Sequence, residues 1–328
     1  QALLDPKAYP HLPQKVELVQ TQMSFVFLAD DYVYKVKKPV NLGYLDYTTL
    51  EKRRFYCQRE VELNRRLCPD AYLGAVPIVR DKGHIVLGGQ GKAIEYAVKM
   101  RRLPQEAMLN VLLANDQVSP QMLTGVAEKL AEFHQKAETN ARISAFGSLD
   151  TITENTGENF VQTEPYIGRT ISREKYQRIR AYTNRFIQKN AALFHQRIAD
   201  GRIRDCHGDL HAAHICFGDG ICIYDCIEFN DRFRYCDVAS EVAFLAMDLD
   251  HYGRADLSRH FVNTYAAQSQ DKELTVLLNF YKCYRAYVRG KVESFKLDDP
   301  HIGKEEKAGV SAIARNYFEL AESYLKGD

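Results

Sequence analysis

The densest run of side chains able to do chemistry is CHGDLHAAHICFGDGICIYDCIEFN, residues 206–230. Its residue types predict a polar loop from His207 to His214 and a short apolar strand from Ile215 to Phe217. A turn at Gly218-Asp219-Gly220 and a second strand from Ile221 to Tyr224, ending at Asp225, complete the pattern. Asp209 then lies in the entering loop and Asp225 at the exit, a layout in which one carboxylate accepts a proton while the other holds a divalent cation. Between residues 205 and 256, eleven acidic residues face three arginines, a local charge of −8 that is costly unless cations neutralise it. A zinc hydrolase would take His207, His211, His214 and Cys216 as ligands. Against it, Gly208 favours a loop over the helix that HxxxH spacing needs, and the Glu of HExxH is absent.

The elements that must position these groups differ between the two parts of the chain. Up to about residue 100 the signals are mainly strands. Phe25–Leu28 and Tyr32–Val36 flank an Asp30-Asp31 turn, and His84–Leu87 and Ala93–Met100 flank Gly88-Gly89-Gln90-Gly91, expected to be a second hairpin turn. The GGQGK run is not a phosphate loop, because the first glycine of that motif falls on Val86. Thr49 caps a predicted helix to Cys68. After Leu103-Pro104 helices dominate. Leu123, Val126, Ala127, Leu130, Ala131 and His134 share one face, with His134 expected as a satisfied core histidine, and residues 173–199 contain a second long helix. The polar run Ile143–Ser172 is expected to be a substrate loop.

The chain has 328 residues, 45% hydrophobic and 27% charged, which predicts a folded protein of two domains. Its 44 basic and 43 acidic residues leave a net charge of +1, too balanced for binding nucleic acid or an anionic membrane along an extended surface. No apolar run reaches the ~20 residues of a membrane helix, and the N-terminus lacks a signal-peptide plan, so a cytoplasmic protein with a small-molecule partner is expected. Eight cysteines without a CxxC are expected to be reduced packing thiols.

HGDLHAAHI followed by IYDCIEF resembles the catalytic and metal loops of the aminoglycoside phosphotransferase and choline kinase superfamily, relatives of protein kinases. An uncharacterised bacterial branch of that superfamily is similar in further detail, including VYKVKKP at residues 33–39. The resemblance spans roughly residues 20–295. It implies an α+β, bilobal protein-kinase-like fold, with a β-rich N-terminal lobe (1–103) and a mostly helical C-terminal lobe (104–328). It also implies ATP and magnesium as cofactors. By the same resemblance Asp209 matches the catalytic Asp that accepts the proton of the attacking hydroxyl, Asp225 the magnesium-holding Asp, and His207 the loop-anchoring His. Asp237 matches the carboxylate that caps and braces the catalytic loop. Position 214, usually Asn and a second metal ligand, is His. A neutral imidazole is a poor magnesium ligand, so His214 contacts metal through water, positions Asp209, or is dispensable to a one-metal site.

In the N-terminal half, Lys35 matches the lysine that pairs with phosphates, with Lys37 as runner-up on the same strand face. Glu60 matches its helix partner, and Val33 the small residue facing adenine. Thr21–Val26, with Ser24, matches the phosphate-covering turn, and the backbone of Lys99, Met100 and Arg101 the adenine-edge contact. An ATP-binding partner domain is compatible with this reading.

The acceptor signal lies in YKCYRAYVRGKVESFK. Lys282, Arg285 and Arg289 share a helix face interleaved with Tyr281, Tyr284 and Tyr287, and residues 281–296 carry five basic residues against one acidic. If Arg285, Arg289 and Tyr281 line the acceptor site, they favour a sugar acid or phosphorylated compound over a polycationic aminoglycoside. The expected activity is transfer of the γ-phosphate of ATP to a hydroxyl of a small polar metabolite. Alternatives are a nucleotide-binding module without transfer, an aminoglycoside or amino-alcohol kinase, and a protein kinase.

Overall fold

Two-residue alternation along Tyr32–Lys37 sets up the two faces of the N-terminal sheet. Tyr34 and Val36 point into one apolar cluster with Phe27, Ala29, Ile78, Leu87 and Ala97, closed by Leu3, Ala8 and Tyr9. Lys35 and Lys37 therefore point to the opposite face. The computed structural model describes residues 1–299 and 302–325. It divides into two compact units, Gln1–Asn115 with Ala213–Arg234, and Asp116–Ala212 with Tyr235–Asp328. The first unit thus takes in residues 1–103, the run to Asn115, and a return of the chain after Ala212.

The first unit is built on β1 (Val16–Gln20), β2 (Ser24–Ala29), β3 (Tyr32–Lys37), α1 (Leu50–Asn64), β4 (Tyr72–Asp81), β5 (His84–Leu87) and β6 (Ala93–Arg101). The sheet is antiparallel in the order β1-β2-β3-β6-β4-β5. Thr49 caps α1 by accepting the Lys52 N–H at 3.2 Å, and Cys57 and Val61 pack on Val98 and Tyr72 of the face that Lys35 shares. Strand β4, which carries Pro77 within its ladder, is absent from the sequence expectation. It pairs with both β5 and β6, so Gly88–Gly91 is a crossing between non-neighbouring strands and not a hairpin turn. A short helix α2 (Leu109–Ala114) and two three-residue strands, Ile215–Phe217 and Ile221–Ile223, complete this unit. Cys68 and Cys222 form a disulfide, which corrects the expectation that all eight cysteines are reduced. The two sulfurs belong to one apolar cluster beside α1, an association across 154 residues that no local spacing signals.

The second unit is mostly helical: α3 (Pro120–Lys136), α4 (Leu149–Thr163), α5 (Arg173–Lys189), α6 (Ala191–Ala199), α7 (Val238–His251), α8 (Ala255–Ser269), α9 (Leu274–Phe295) and α10 (Lys304–Ser323). The expected single helix over 173–199 is two, broken at Asn190. The expected loop over Ile143–Ser172 is largely helical. Ser148 caps α4, and Thr156 and Thr163 return their hydroxyls to the carbonyls of Ile152 and Asn159 at 2.9 and 2.7 Å, so polar residues fill buried helix positions without losing hydrogen bonds. Strand Ile203–Asp205 pairs with Tyr235–Asp237, so the loop leaving Asp205 starts from an anchored base. Among the described residues no helix is long and apolar enough to cross a membrane.

Candidate active site

In the first unit, strand alternation and the α1 periodicity bring three segments together. Lys35 Nζ lies 3.0 Å from Glu60 Oε1 and 2.7 Å from Asp225 Oδ1. Glu60 is fully buried, and its other oxygen takes Lys37 Nζ at 2.6 Å. Lys37, 1% exposed, also pairs with Glu228, which accepts the Tyr47 hydroxyl at 2.6 Å. Burial works against the charge of both lysines. Asp225 and Glu60 outweigh it at Lys35, and Glu228 and Glu60 at Lys37, so both ammonium groups are held well above their ordinary pKa. Burial likewise raises the Glu60 carboxyl, but Lys35 and Lys37 bring it below its usual range.

Asp225 adopts φ +62°, a left-handed conformation costly for most side chains and most tolerable for Asp or Asn. The turn is held by its neighbours: the Asp225 N–H donates to the Tyr72 hydroxyl at 3.2 Å, and the Cys226 N–H to Asn64 Oδ1 at 2.9 Å. His214 Nε2 lies 3.6 Å from Asp225 Oδ2, so this histidine stands beside the candidate metal-holding carboxylate. A hard carboxylate oxygen suits magnesium, which commonly takes one or two protein carboxylates and fills its shell with phosphate and water. The donor chemistry of Asp225 fits the ion, whereas His214 is better suited to orienting that carboxylate.

Other nucleotide-side expectations fare differently. Val33 shares the Lys35 face and pairs with Met100. Ser24 is buried at the start of β2, and its N–H is taken by Thr21 Oγ1 at 3.0 Å. Lys99 and Met100 lie in β6 laddered to both β3 and β4, and Arg101, the last residue of β6, is laddered to β3. Arg101 N donates to Ala71 O, and Lys99 sits 4.4 Å from the Tyr32 ring centroid. Because β4 was missing from the expected sheet, these residues were given an edge that the structure fills.

In the second unit, the loop carrying Asp209 is fixed from below. Glu241 accepts the His207 N–H at 2.9 Å and the Gly208 N–H at 2.6 Å, and Asp248 Oδ2 accepts the Ala212 N–H at 2.9 Å. Gly208 takes φ +90°, which only glycine adopts readily. The Asp209 N–H donates to His207 Nδ1 at 3.3 Å, and His211 Nε2 lies 3.5 Å from Asp209 Oδ2. The Asp209 side chain is 35% exposed, within reach of a solute. His134 bridges Glu241 and Tyr265 at 2.8 Å each, as a satisfied core histidine should. Burial would raise the Glu241 carboxyl, but His134 and the loop N–H groups hold it down at about 2.

The loop brace is therefore Glu241, not Asp237. Asp237 caps α7 through the Ala239 N–H and holds Arg197 in a bidentate pair at 3.0 and 2.6 Å. The acceptor stripe is also reassigned. Tyr281 and Arg285 are buried, and Arg285 donates to Ser240 Oγ at 3.1 Å and to Gly208 O at 3.4 Å. Glu228, Tyr47, Tyr72, Asn64 and Glu241 were missed, although Glu228 and Glu241 belong to the −8 segment. Those two carboxylates are answered from within the protein, by Lys37 and by His134 with the loop N–H groups.

The N-terminal antiparallel sheet with its Lys35–Glu60 pair, followed by a helical unit carrying a pinned HGD loop, defines a protein-kinase-like fold. The chain belongs to the phosphotransferase enzyme family, whose model matches residues 53–277. An uncharacterised protein of Mycobacterium tuberculosis is 36% identical over 312 residues, 95% of this chain and 60% of that protein. The chain thus spans well under two thirds of the length of this relative. Among solved structures, an aminoglycoside phosphotransferase-like protein of Ralstonia eutropha superposes with a TM-score of 0.54 at 13% identity, covering 96% of this chain and 93% of that one. A choline/ethanolamine kinase family protein of Mesorhizobium loti gives 0.51 at 12%, covering 97% and 96%.

Proposed function

We propose that this chain transfers the γ-phosphate of ATP to a hydroxyl of a small polar metabolite in the cytoplasm, with residues 1–103 gripping nucleotide and 104–328 supplying the base and acceptor site. The observation that carries this reading is Lys35 Nζ held between Glu60 and Asp225, three residues from distant segments in the pattern such enzymes use. Lys35 is a preorganised cation for the α- and β-phosphates, oriented by Glu60, and Val33 on the same face packs against adenine. The adenine-edge role passes from Lys99–Arg101 to the backbone just beyond β6. Asp225, steadied by His214, would hold magnesium, which supplies charge neutralisation on the phosphate oxygens. Asp209 accepts the hydroxyl proton and aligns the acceptor, while Glu241 keeps its loop in place.

The test is ADP release from ATP and magnesium across a metabolite library. Asp209→Asn and Asp225→Asn should each lower turnover on the order of 100-fold or more, as loss of a general base or of metal-dependent charge stabilisation does. Turnover at the wild-type rate in Asp209→Asn would sink the mechanism. Nucleotide binding without ADP release from any acceptor would instead identify a binding module.

A further inference from the structure

The three basic side chains on one face of α9 have different fates. Lys282 Nζ donates to Asp250 Oδ2 at 2.8 Å and Ser258 Oγ at 2.9 Å, and Arg285 is spent on Ser240 and Gly208. Arg289 has no carboxylate within salt-bridge distance among the described residues, and its Nε is buried without a hydrogen-bond partner. Its guanidinium lies 5.4 Å from the Tyr317 ring centroid, and His251 stacks on that tyrosine at 4.1 Å and 12°. The Tyr317 hydroxyl donates to Asp248 Oδ1 at 3.5 Å, the same carboxylate that holds the Ala212 end of the Asp209 loop. Arg289 also stands one helical turn, about 6 Å, along α9 from Arg285, which touches Gly208.

A buried Nε–H donor without an acceptor is expensive even though the guanidinium also meets the Tyr317 hydroxyl, and a planar fork suits a carboxylate or phosphate better than any other partner. We propose that Arg289 is the specificity-determining residue of the acceptor site, pairing with a carboxylate or phosphate on the hydroxylated acceptor against the wall formed by Tyr317 and His251. Burial disfavours its charge, but Tyr317, Asp248 and Asp209 outweigh that, so the cation is permanent and Asp209 lies within its electrostatic reach. A cationic amine in the same place would be repelled.

This inference rests on phosphoryl transfer, and its test separates the two. Equilibrium binding is measured without nucleotide for pairs that differ only in the acid group: glycerate and glycerol, gluconate and sorbitol, glucose 6-phosphate and glucose. ADP release is then followed for each. The expectation is at least tenfold tighter binding of the acidic member of one pair, lost in Arg289→Gln and largely kept in Arg289→Lys. Equal binding of both members, no binding of any probe, or an acid preference that survives in Arg289→Gln overturns the assignment. So does a fall in kcat in Arg289→Gln that is the same for acidic and neutral acceptors, the mark of a brace for Asp209. Acid-selective binding with no ADP release supports the anion site and overturns phosphoryl transfer. ADP release with no acid preference does the reverse.

Discussion

Lys35 and Lys37 lie two residues apart on one strand face and share Glu60, yet their surroundings assign them different work. Lys35 is 18% exposed and touches Asp225, a side chain open to solvent, whereas Lys37 is sealed between Glu60 and Glu228. Removing Lys37 takes the paired cation from the buried Glu228 and leaves the buried Glu60 with Lys35 alone. Lys37→Met should therefore cost about 3–5 kcal/mol of stability, the range for breaking a buried pair. Lys35→Met should instead lower turnover by orders of magnitude with a much smaller loss of stability, because Glu60 keeps Lys37. Urea unfolding and ADP release on both variants check this, and the reverse pattern would make Lys37 the phosphate lysine.

At the scale of elements, the catalytic loop depends on helix α7 presenting Glu241 to two consecutive N–H groups. The Glu241 carboxyl is held near 2, below the ordinary carboxylate value, so it binds its proton more weakly folded than unfolded. The stability it contributes is complete above about pH 4.5 and is lost as pH falls toward 2. The urea-unfolding advantage of wild type over Glu241→Gln should accordingly shrink as pH drops from 5 to 3. An advantage constant over that range would mean that the carboxylate charge is not what holds the loop.

Across the whole molecule, the Cys68–Cys222 bond closes a loop of 154 residues that includes the chain from β4 to the second three-residue strand. A cross-link of that span restricts the unfolded chain strongly, and Cys68→Ser or full reduction should cost about 2–5 kcal/mol of stability. Thermal unfolding with and without reductant, beside a free-thiol titration that finds six thiols in the oxidised protein, checks it. Eight titratable thiols in native protein would remove the bond and its contribution.

The sequence by itself determined the kinase-like fold class, the HGD loop and the Asp225 turn, the Thr49 cap and the strand face of Lys35. Each depends on contiguous residues, where spacing translates directly into a turn, a cap or a side of a strand. It also carried the separation of charge, acidic in 205–256 and basic in 281–296. What only the tertiary structure decided is which charges meet. The −8 segment predicted cations, but a list of residues cannot tell a buried carboxylate answered by Lys37 or a loop N–H from one left for metal. The basic stripe of α9 likewise predicted a binding face, and packing consumed Lys282 and Arg285 while leaving Arg289 with an unbonded donor. Strand β4 was hidden by Pro77, α4 by polar residues that satisfy their own helix, and the disulfide by its span. In each case the deciding contact comes from a segment far along the chain, and partners at that distance are chosen by packing, not by local spacing.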